Sequence, residues 1–340
     1  MNIGFLSDKG GYRSPLFPET IEKYENVQLF AEENILDNIN LNIKKFTNVL
    51  KLDEMSLSKI DLLCFVENID LKTVKKLKEN AGVLGLFNDE VTKKISSARP
   101  DLKLYDFNKL PRISRAQNLD ALSSQANLLG YASVLRASLE TSTVIPMMTT
   151  AAGNISPAKV LILGIGVAGL QAIATAKRLG ARVWGYDIRA DVKDQVESLG
   201  AKFVETNESK QDSVYAQEIS KEEQELLNQA LEKQVIESDI VLTFAQIPGK
   251  KAPVLINNET VSKMKENSVI IDLAAGSGGN CEATKVDETK IVNGVKVIGD
   301  TEILRIVNQA ASKLYSENIK NFVDLYFENK NDELFEEMSK

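Results

Sequence analysis

Short apolar runs alternate with stretches of helical spacing along most of this chain. Asn2-Ile3-Gly4-Phe5-Leu6, Ile60–Val66 and Gly82–Phe87 each read as a buried strand, and Leu71–Ala81 repeats its apolar positions at helical spacing. Such alternation predicts a parallel α/β sheet. Ser123–Ser142 has no proline and a single glycine, which predicts one long helix of the kind that joins two lobes. Gly153-Asn154-Ile155-Ser156-Pro157 then breaks the pattern. Beyond it, Ala158–Leu163 reads as a strand. A glycine-rich turn opens a helix running to about Leu179, Gly180 caps that helix, and Arg182–Asp187 is the next strand. Helical spacing over Lys221–Glu237 precedes three apolar strands, Ile240–Ala245, Val269–Ala274 and Val295–Ile298. The last periodic stretch, Val307–Asn329, is helical and is expected to pack back on the first lobe.

Composition narrows the classes. A length of 340 residues suggests two domains, and 43% hydrophobic with 26% charged residues is ordinary for a soluble globular protein. Cores of that size need no metal or disulfide. A formal net charge of -7 argues against nucleic acid or an anionic membrane as the main partner. Cys64 and Cys281 lack paired spacing and are expected to be reduced, packed side chains of a cytoplasmic protein. Residues 1–10 carry early charge and no long apolar core, so no signal peptide is expected there. The uncharged run Val160–Ala176 is slightly short for a membrane span and contains three glycines and Gln171; a buried strand followed by a buried helix face explains it. Histidine is absent. That removes Ser-His-Asp and Cys-His chemistry and leaves carboxylates, Lys, Tyr or a cofactor to carry any reaction.

One motif points to a cofactor. Gly164-Ile165-Gly166-Val167-Ala168-Gly169 lies between a hydrophobic strand and a helix, with Asp187 at the end of the following strand. Gly164 permits the tight turn, Gly166 lets backbone approach a pyrophosphate, and Gly169 lets helix and strand pack closely. The helix N-terminus offers free N–H groups to phosphates. Asp187 is placed to bind the adenine ribose hydroxyls and to repel a 2′-phosphate, which favours NAD over NADP; Arg189 is the counter-signal. The fold class expected is therefore α/β: two Rossmann-like domains with parallel sheets, 1–125 and 126–306, linked by the long helix, with 307–340 returning to the first and the cofactor in the cleft between them.

The stretch Gly166–Gly180 also resembles the NAD(H)-binding component (domain I, the alpha subunit) of proton-translocating nicotinamide nucleotide transhydrogenase, with alanine dehydrogenases as more distant relatives. The resemblance runs from about Leu110 to Phe322 and is weaker over the first hundred residues. Pro111–Gln125 is similar to that family's Arg-Gln-Asp loop. This implies that Arg112, Gln117, Asp120 and Ser123, flanked by Ser114 and Arg115, hold the nicotinamide end, with Arg112, Gln117 and Asp120 as candidate catalytic residues. Val214–Ser220 resembles the mobile loop in which a Tyr closes over the nucleotide, which implicates Tyr215 and its neighbour Ser213; Ser213-Val214 stands where the family usually has Gly-Gly. Ala245–Ile256 and Asp272–Cys281 match as well and add Ala245, Gln246 and Asn280 to the implied cofactor contacts, as Ile188 and Arg189 join Asp187. Gly276 stands where a Glu is usual, and Leu304-Arg305-Ile306 replaces the family's Pro-Ser-Arg turn.

The resemblance implies a function. NADH bound here would pass hydride directly to NADP+ held on a partner subunit, coupled to proton translocation by membrane-spanning subunits. The chain would be a homodimer, peripheral on the inner face of the cytoplasmic membrane through its partners. Nicotinamide-to-nicotinamide transfer needs no protein acid or base, which suits a chain without histidine. The rival is an alanine-dehydrogenase-like amino-acid dehydrogenase, which needs a general base; Arg13 in Gly11–Thr20 matches that branch's N-terminal arginine and could be a relic of a carboxylate site. A non-catalytic NAD-binding regulatory subunit is the third reading.

Overall fold

A computed structural model of the chain describes residues 1–8, 10–205, 221–247 and 249–339. Ser213 and Tyr215, with the rest of the expected mobile loop, lie outside the described residues, as does Pro248. The chain divides into two compact units, Met1–Gln125 with Leu304–Lys340, and Ala126–Ile303.

The first unit is built on six strands, β1 (Asn2–Phe5), β2 (Gln28–Ala31), β3 (Val49–Lys51), β4 (Leu62–Cys64), β5 (Gly82–Gly85) and β6 (Lys103–Asp106). They lie in the order β3-β2-β1-β4-β5-β6, every neighbouring pair parallel. Alternate residues of the same strands feed two cores, because side chains alternate across a pleated strand. Ile3, Phe5, Leu62 and Cys64 pack on one face with Tyr315, Ile319 and Phe322 of the returning helix Asn308–Glu328. Phe30, Leu63, Phe65 and Val83 pack on the other with Val74, Leu77 and Ile95. Burial on both faces explains why these strands read as continuous apolar runs.

One element is shorter than its periodicity. Leu71–Ala81 is helical over Leu71–Lys75 alone. Arg99 donates to the carbonyls of Val74, Lys75, Leu77 and Lys78, which a continuing helix would need for its own N–H groups.

The second unit holds a two-stranded hairpin and a seven-stranded sheet. Its strands are β7 (Met148–Thr150), β8 (Gly153–Ile155), β9 (Lys159–Leu163), β10 (Arg182–Tyr186), β11 (Lys202–Phe203), β12 (Ile240–Thr243), β13 (Val269–Asp272), β14 (Thr289–Val292) and β15 (Val295–Gly299). The sheet order is β11-β10-β9-β12-β13-β15-β14, parallel except for β14, which lies antiparallel on the edge. Reading outward from β9, both sheets share the doubly wound order in which strand sequence reverses at the first strand. The long helix spans Ala121–Glu140, and its chain passes from the first unit into the second after Gln125. The pattern break at Gly153 is not a loop: Gly153–Ile155 is β8, paired with β7 as Met148↔Ile155 and Thr150↔Gly153. The uncharged run Val160–Ala176 folds as β9 and the helix Val167–Arg178. Among the described residues no helix is long and apolar enough to cross a membrane.

Candidate nucleotide-binding site

The glycine turn follows β9, where the sheet order reverses between β9 and β12. Gly164 has φ +88, and a Cβ there would lie 2.6 Å from the amide nitrogen of Ala245. Two demands thus converge on glycine: a left-handed backbone, and direct packing of the turn on the segment after β12. Gly166 is the N-cap of the helix Val167–Arg178, extended at φ -99 and ψ -161, with no side-chain cap and open space where a Cβ would stand. The first N–H groups of that helix, from Val167, Ala168 and Gly169, therefore have no intrahelical acceptor and face outward at the positive end of the dipole. A Cβ at Gly169 would overlap the carbonyl oxygen of Gly164, so helix and turn touch backbone to backbone. Gly130, on the long helix, has the same role from another side: its Cβ would overlap the carbonyl oxygen of Ala168. Sequence reasoning missed Gly130, although a lone glycine inside a helix is itself a packing signal.

Asp187 follows β10 beside this turn. Its side chain is 8% exposed, against 54% for Arg189. One oxygen, Oδ2, accepts the Ile165 amide at 2.7 Å and Arg189 Nη2 at 3.1 Å; the other, Oδ1, accepts the Arg189 amide and Arg189 Nε, each at 3.0 Å. Arg189 Nη2 also donates to the Ile165 carbonyl at 2.8 Å. Burial pushes the Asp187 carboxyl up, but the Arg189 side-chain bond and the two backbone amides outweigh it and hold the group below its ordinary value. Ile188 between them is 75% exposed, an apolar side chain in water next to the carboxylate.

The far wall is set by a buried carboxylate that sequence reasoning passed over. Asp272, fully buried at the end of β13, accepts five hydrogen bonds: from the Thr243 and Thr284 hydroxyls and the Ala274, Asn280 and Cys281 amides. Asn280, also fully buried, accepts the Ala245 amide and donates to the Ala245 and Pro253 carbonyls. Both its N–H donors are spent within the protein, so Asn280 fixes the Ala245 backbone instead of offering its amide outward, contrary to the sequence-based expectation of a contact. Gln246 is exposed, with its amide on the Leu273 carbonyl at 3.3 Å.

In the first unit, Arg112, Ser114, Gln117, Asp120 and Ser123 line an open pocket of about 470 Å³ together with Pro111, Ile113 and Ala116. Asp120 caps the long helix, accepting the Ser123 amide at 2.9 Å and the Ser123 hydroxyl at 2.6 Å. Arg112 and Gln117 are exposed, and among the described residues Arg112 pairs with no carboxylate. Arg115 does not join them: it forms a two-pronged pair with Asp332 at 2.9 Å on both bonds, which ties the chain ahead of the last helix to this segment.

Two further residues bear on the chemistry. Arg13 is buried, donates to Gln125 at 3.1 Å and is ion-paired with Glu67. Burial lowers its proton affinity, yet Glu67 more than offsets this and raises it. A substrate carboxylate would have to displace Glu67 to reach Arg13. Cys64 and Cys281 are buried free thiols; burial raises both, Cys281 to about 11, so neither is a ready nucleophile at neutral pH.

An open parallel sheet with a glycine turn and helix N-terminus at its switch point is the architecture of dinucleotide-binding dehydrogenases, and the second unit has it. The profile described as alanine dehydrogenase/PNT, C-terminal domain, matches residues 133–339, and the chain belongs to that family. It is 48% identical over 224 residues to the first portion of NAD(P) transhydrogenase subunit alpha of Rhodospirillum rubrum, a match covering 64% of this chain and 58% of that protein. The chain thus spans less than two thirds of that relative. It is 44% identical over 272 residues to the protein of the same name in Rickettsia prowazekii, covering 77% and 70%. Among solved structures, a transhydrogenase from Sinorhizobium meliloti is 31% identical and superposes with a TM-score of 0.89, over 99% of this chain and 97% of that one.

Proposed function

We propose that this chain is the NAD(H)-binding subunit of an NAD(P) transhydrogenase. The observation that carries the reading is the uncapped helix N-terminus at Gly166 beside the buried Asp187, in a chain 48% identical to a transhydrogenase alpha subunit. The site fits the nucleotide on its own terms. Open space at Gly166 leaves room for a pyrophosphate over the Val167 and Ala168 amides. Asp187 is charged at neutral pH and takes the adenosine ribose hydroxyls, and Ile188 offers the adenine an apolar face. Ala245 and Gln246 border the same turn, held there by Asn280. Arg112, Gln117, Asp120 and Ser123, with Ser114, bind the nicotinamide end: a carboxamide needs both donors and acceptors, and this group supplies both. The resemblance alone assigns Ser213 and Tyr215 to closure over the nucleotide.

In the reaction, hydride leaves C4 of NADH for C4 of NADP+ on a partner subunit, giving NAD+ and NADPH with no proton exchanged with the protein. The chain's residues bind and orient one ring and exclude water. Coupling to proton translocation would fall to membrane-spanning partner subunits, which would hold this chain at the inner face of the cytoplasmic membrane. A homodimer is included in the proposal. Met148 and Ile155 on the wholly exposed β7–β8 hairpin, with Met147 before it, support it, since a two-stranded hairpin is marginal in water until something covers it. The engaged Arg13–Glu67 pair weighs against an amino-acid dehydrogenase.

An assay with three arms tests this. NADH oxidation is followed with NADP+ and an NADP-binding partner subunit, with NADP+ alone, and in reverse with alanine and NAD+ and no partner. Transfer in the first arm alone is the expected result. Turnover of alanine without a partner would overturn it, and nucleotide binding with no transfer in any arm would favour a regulatory subunit.

A further inference from the structure

We propose that Arg189 is a built-in occupant of the ribose subsite, so that nucleotide binding exchanges a guanidinium for a sugar diol on Asp187. This rests on the reading of the second unit as an NAD(H) site. The argument is one of counting acceptors. A carboxylate offers two oxygens with about two bonding directions each. On Asp187 all of these are filled: Oδ1 by the Arg189 amide and Nε, Oδ2 by the Ile165 amide and Arg189 Nη2. The two backbone amides belong to the turn and stay. The other two bonds come from one side chain, one on each oxygen, which is the two-pronged pattern that the 2′- and 3′-hydroxyls of a ribose would make. Guanidinium and diol are thus alternative ligands of the same carboxylate.

The exposures show which group can leave. Asp187 is held inside, whereas the Arg189 side chain is 54% exposed and can swing into water at small cost. Its remaining bond, to the Ile165 carbonyl, lies on the same turn, so that carbonyl is uncovered when the arginine departs. Displaced, the guanidinium stays within reach of the ribose edge. A 2′-phosphate would meet it there, so a single residue lowers NADH affinity and softens discrimination against NADPH.

The test is equilibrium binding of NADH, NADPH, 5′-AMP and 2′,3′-dideoxyadenosine 5′-monophosphate to the full chain and to Arg189→Ala. The variant should bind NADH and 5′-AMP about two- to five-fold tighter, the range set by losing one exposed ion pair. It should bind the dideoxy nucleotide unchanged and NADPH no tighter. Arg189→Lys, which keeps the charge but not the fork, should fall between, and it carries the test if the alanine variant does not fold. Unchanged or weaker NADH binding by the variant overturns the proposal, as does equal tightening of the dideoxy nucleotide. Failure of the unaltered chain to bind NADH at all overturns the reading of the site and this inference with it.

Discussion

At the scale of single residues, two buried carboxylates divide the work. Asp187 faces the ligand, and Asp272 holds the wall. Removing the first should cost binding without much cost to the fold. Asp187→Ala is expected to weaken NADH about 30-fold, the equivalent of about 2 kcal/mol for lost bonds to a charged acceptor, as read by NADH fluorescence titration. Asp272→Asn should do the reverse. An amide oxygen satisfies some of the five donors and its NH2 group opposes the rest, so the variant should lose about 2 kcal/mol or more of stability in denaturant unfolding. The sign of the pH dependence follows from Asp187. Its folded value is depressed, so the charged form is lost only as pH falls through that lowered value, beneath the ordinary carboxylate range near ~3.9. With no histidine in the chain, NADH affinity should stay flat between about pH 5 and about pH 8. Asp187 was legible in the sequence because its spacing from the glycine turn is a local rule. Asp272 was not, because its donors come from Thr243, Ala274, Asn280, Cys281 and Thr284, which only the fold brings together. Arg115 and Asn280 show the opposite limit: their types suit a ligand, but their hydrogen bonds are already committed within the protein.

At the scale of elements, the helix that carries the phosphate site is positioned by a second helix. Gly130→Ala gains helix propensity of about 1 kcal/mol yet drives a methyl into the Ala168 carbonyl, at an overpacking cost of about 1–3 kcal/mol. Stability should therefore change little, while NADH affinity falls by at least about five-fold, because the helix N-terminus is what moves; calorimetric melting and binding titration separate the two effects. The β7–β8 hairpin gives an equally sharp expectation. Ile155→Asp should convert a dimer to a monomer in sedimentation velocity with little change in melting of the remaining chain, since every residue of the hairpin is exposed within the chain. A chain that sediments as a monomer before mutation would remove the dimer from the proposal. Long or doubly buried elements could be read in advance: the helix Ala121–Glu140, the helix Lys221–Glu237 and the strands of the second sheet all lie within a few residues of their patterns. Edge strands β3 and β14 and the hairpin could not, because exposed strands carry no apolar run. The helix begun at Leu71 stopped early for a non-local reason, the Arg99 side chain.

At the scale of the whole molecule, the absence of histidine and the engagement of Arg13 by Glu67 point the same way. The chain is poorly equipped for a substrate that must gain or lose a proton, and suited to binding a nucleotide that reacts with another nucleotide. The central claim is direct hydride transfer between the two. Its most direct test is isotopic. NADH deuterated on the transferred C4 position is mixed with this chain, an NADP-binding partner subunit and NADP+ in ordinary water, and the products are weighed by mass spectrometry. The account expects the deuterium to appear in NADPH, one for each NADH oxidised, and only when both chains are present. NADPH carrying solvent hydrogen, or no NADPH at all, would contradict it.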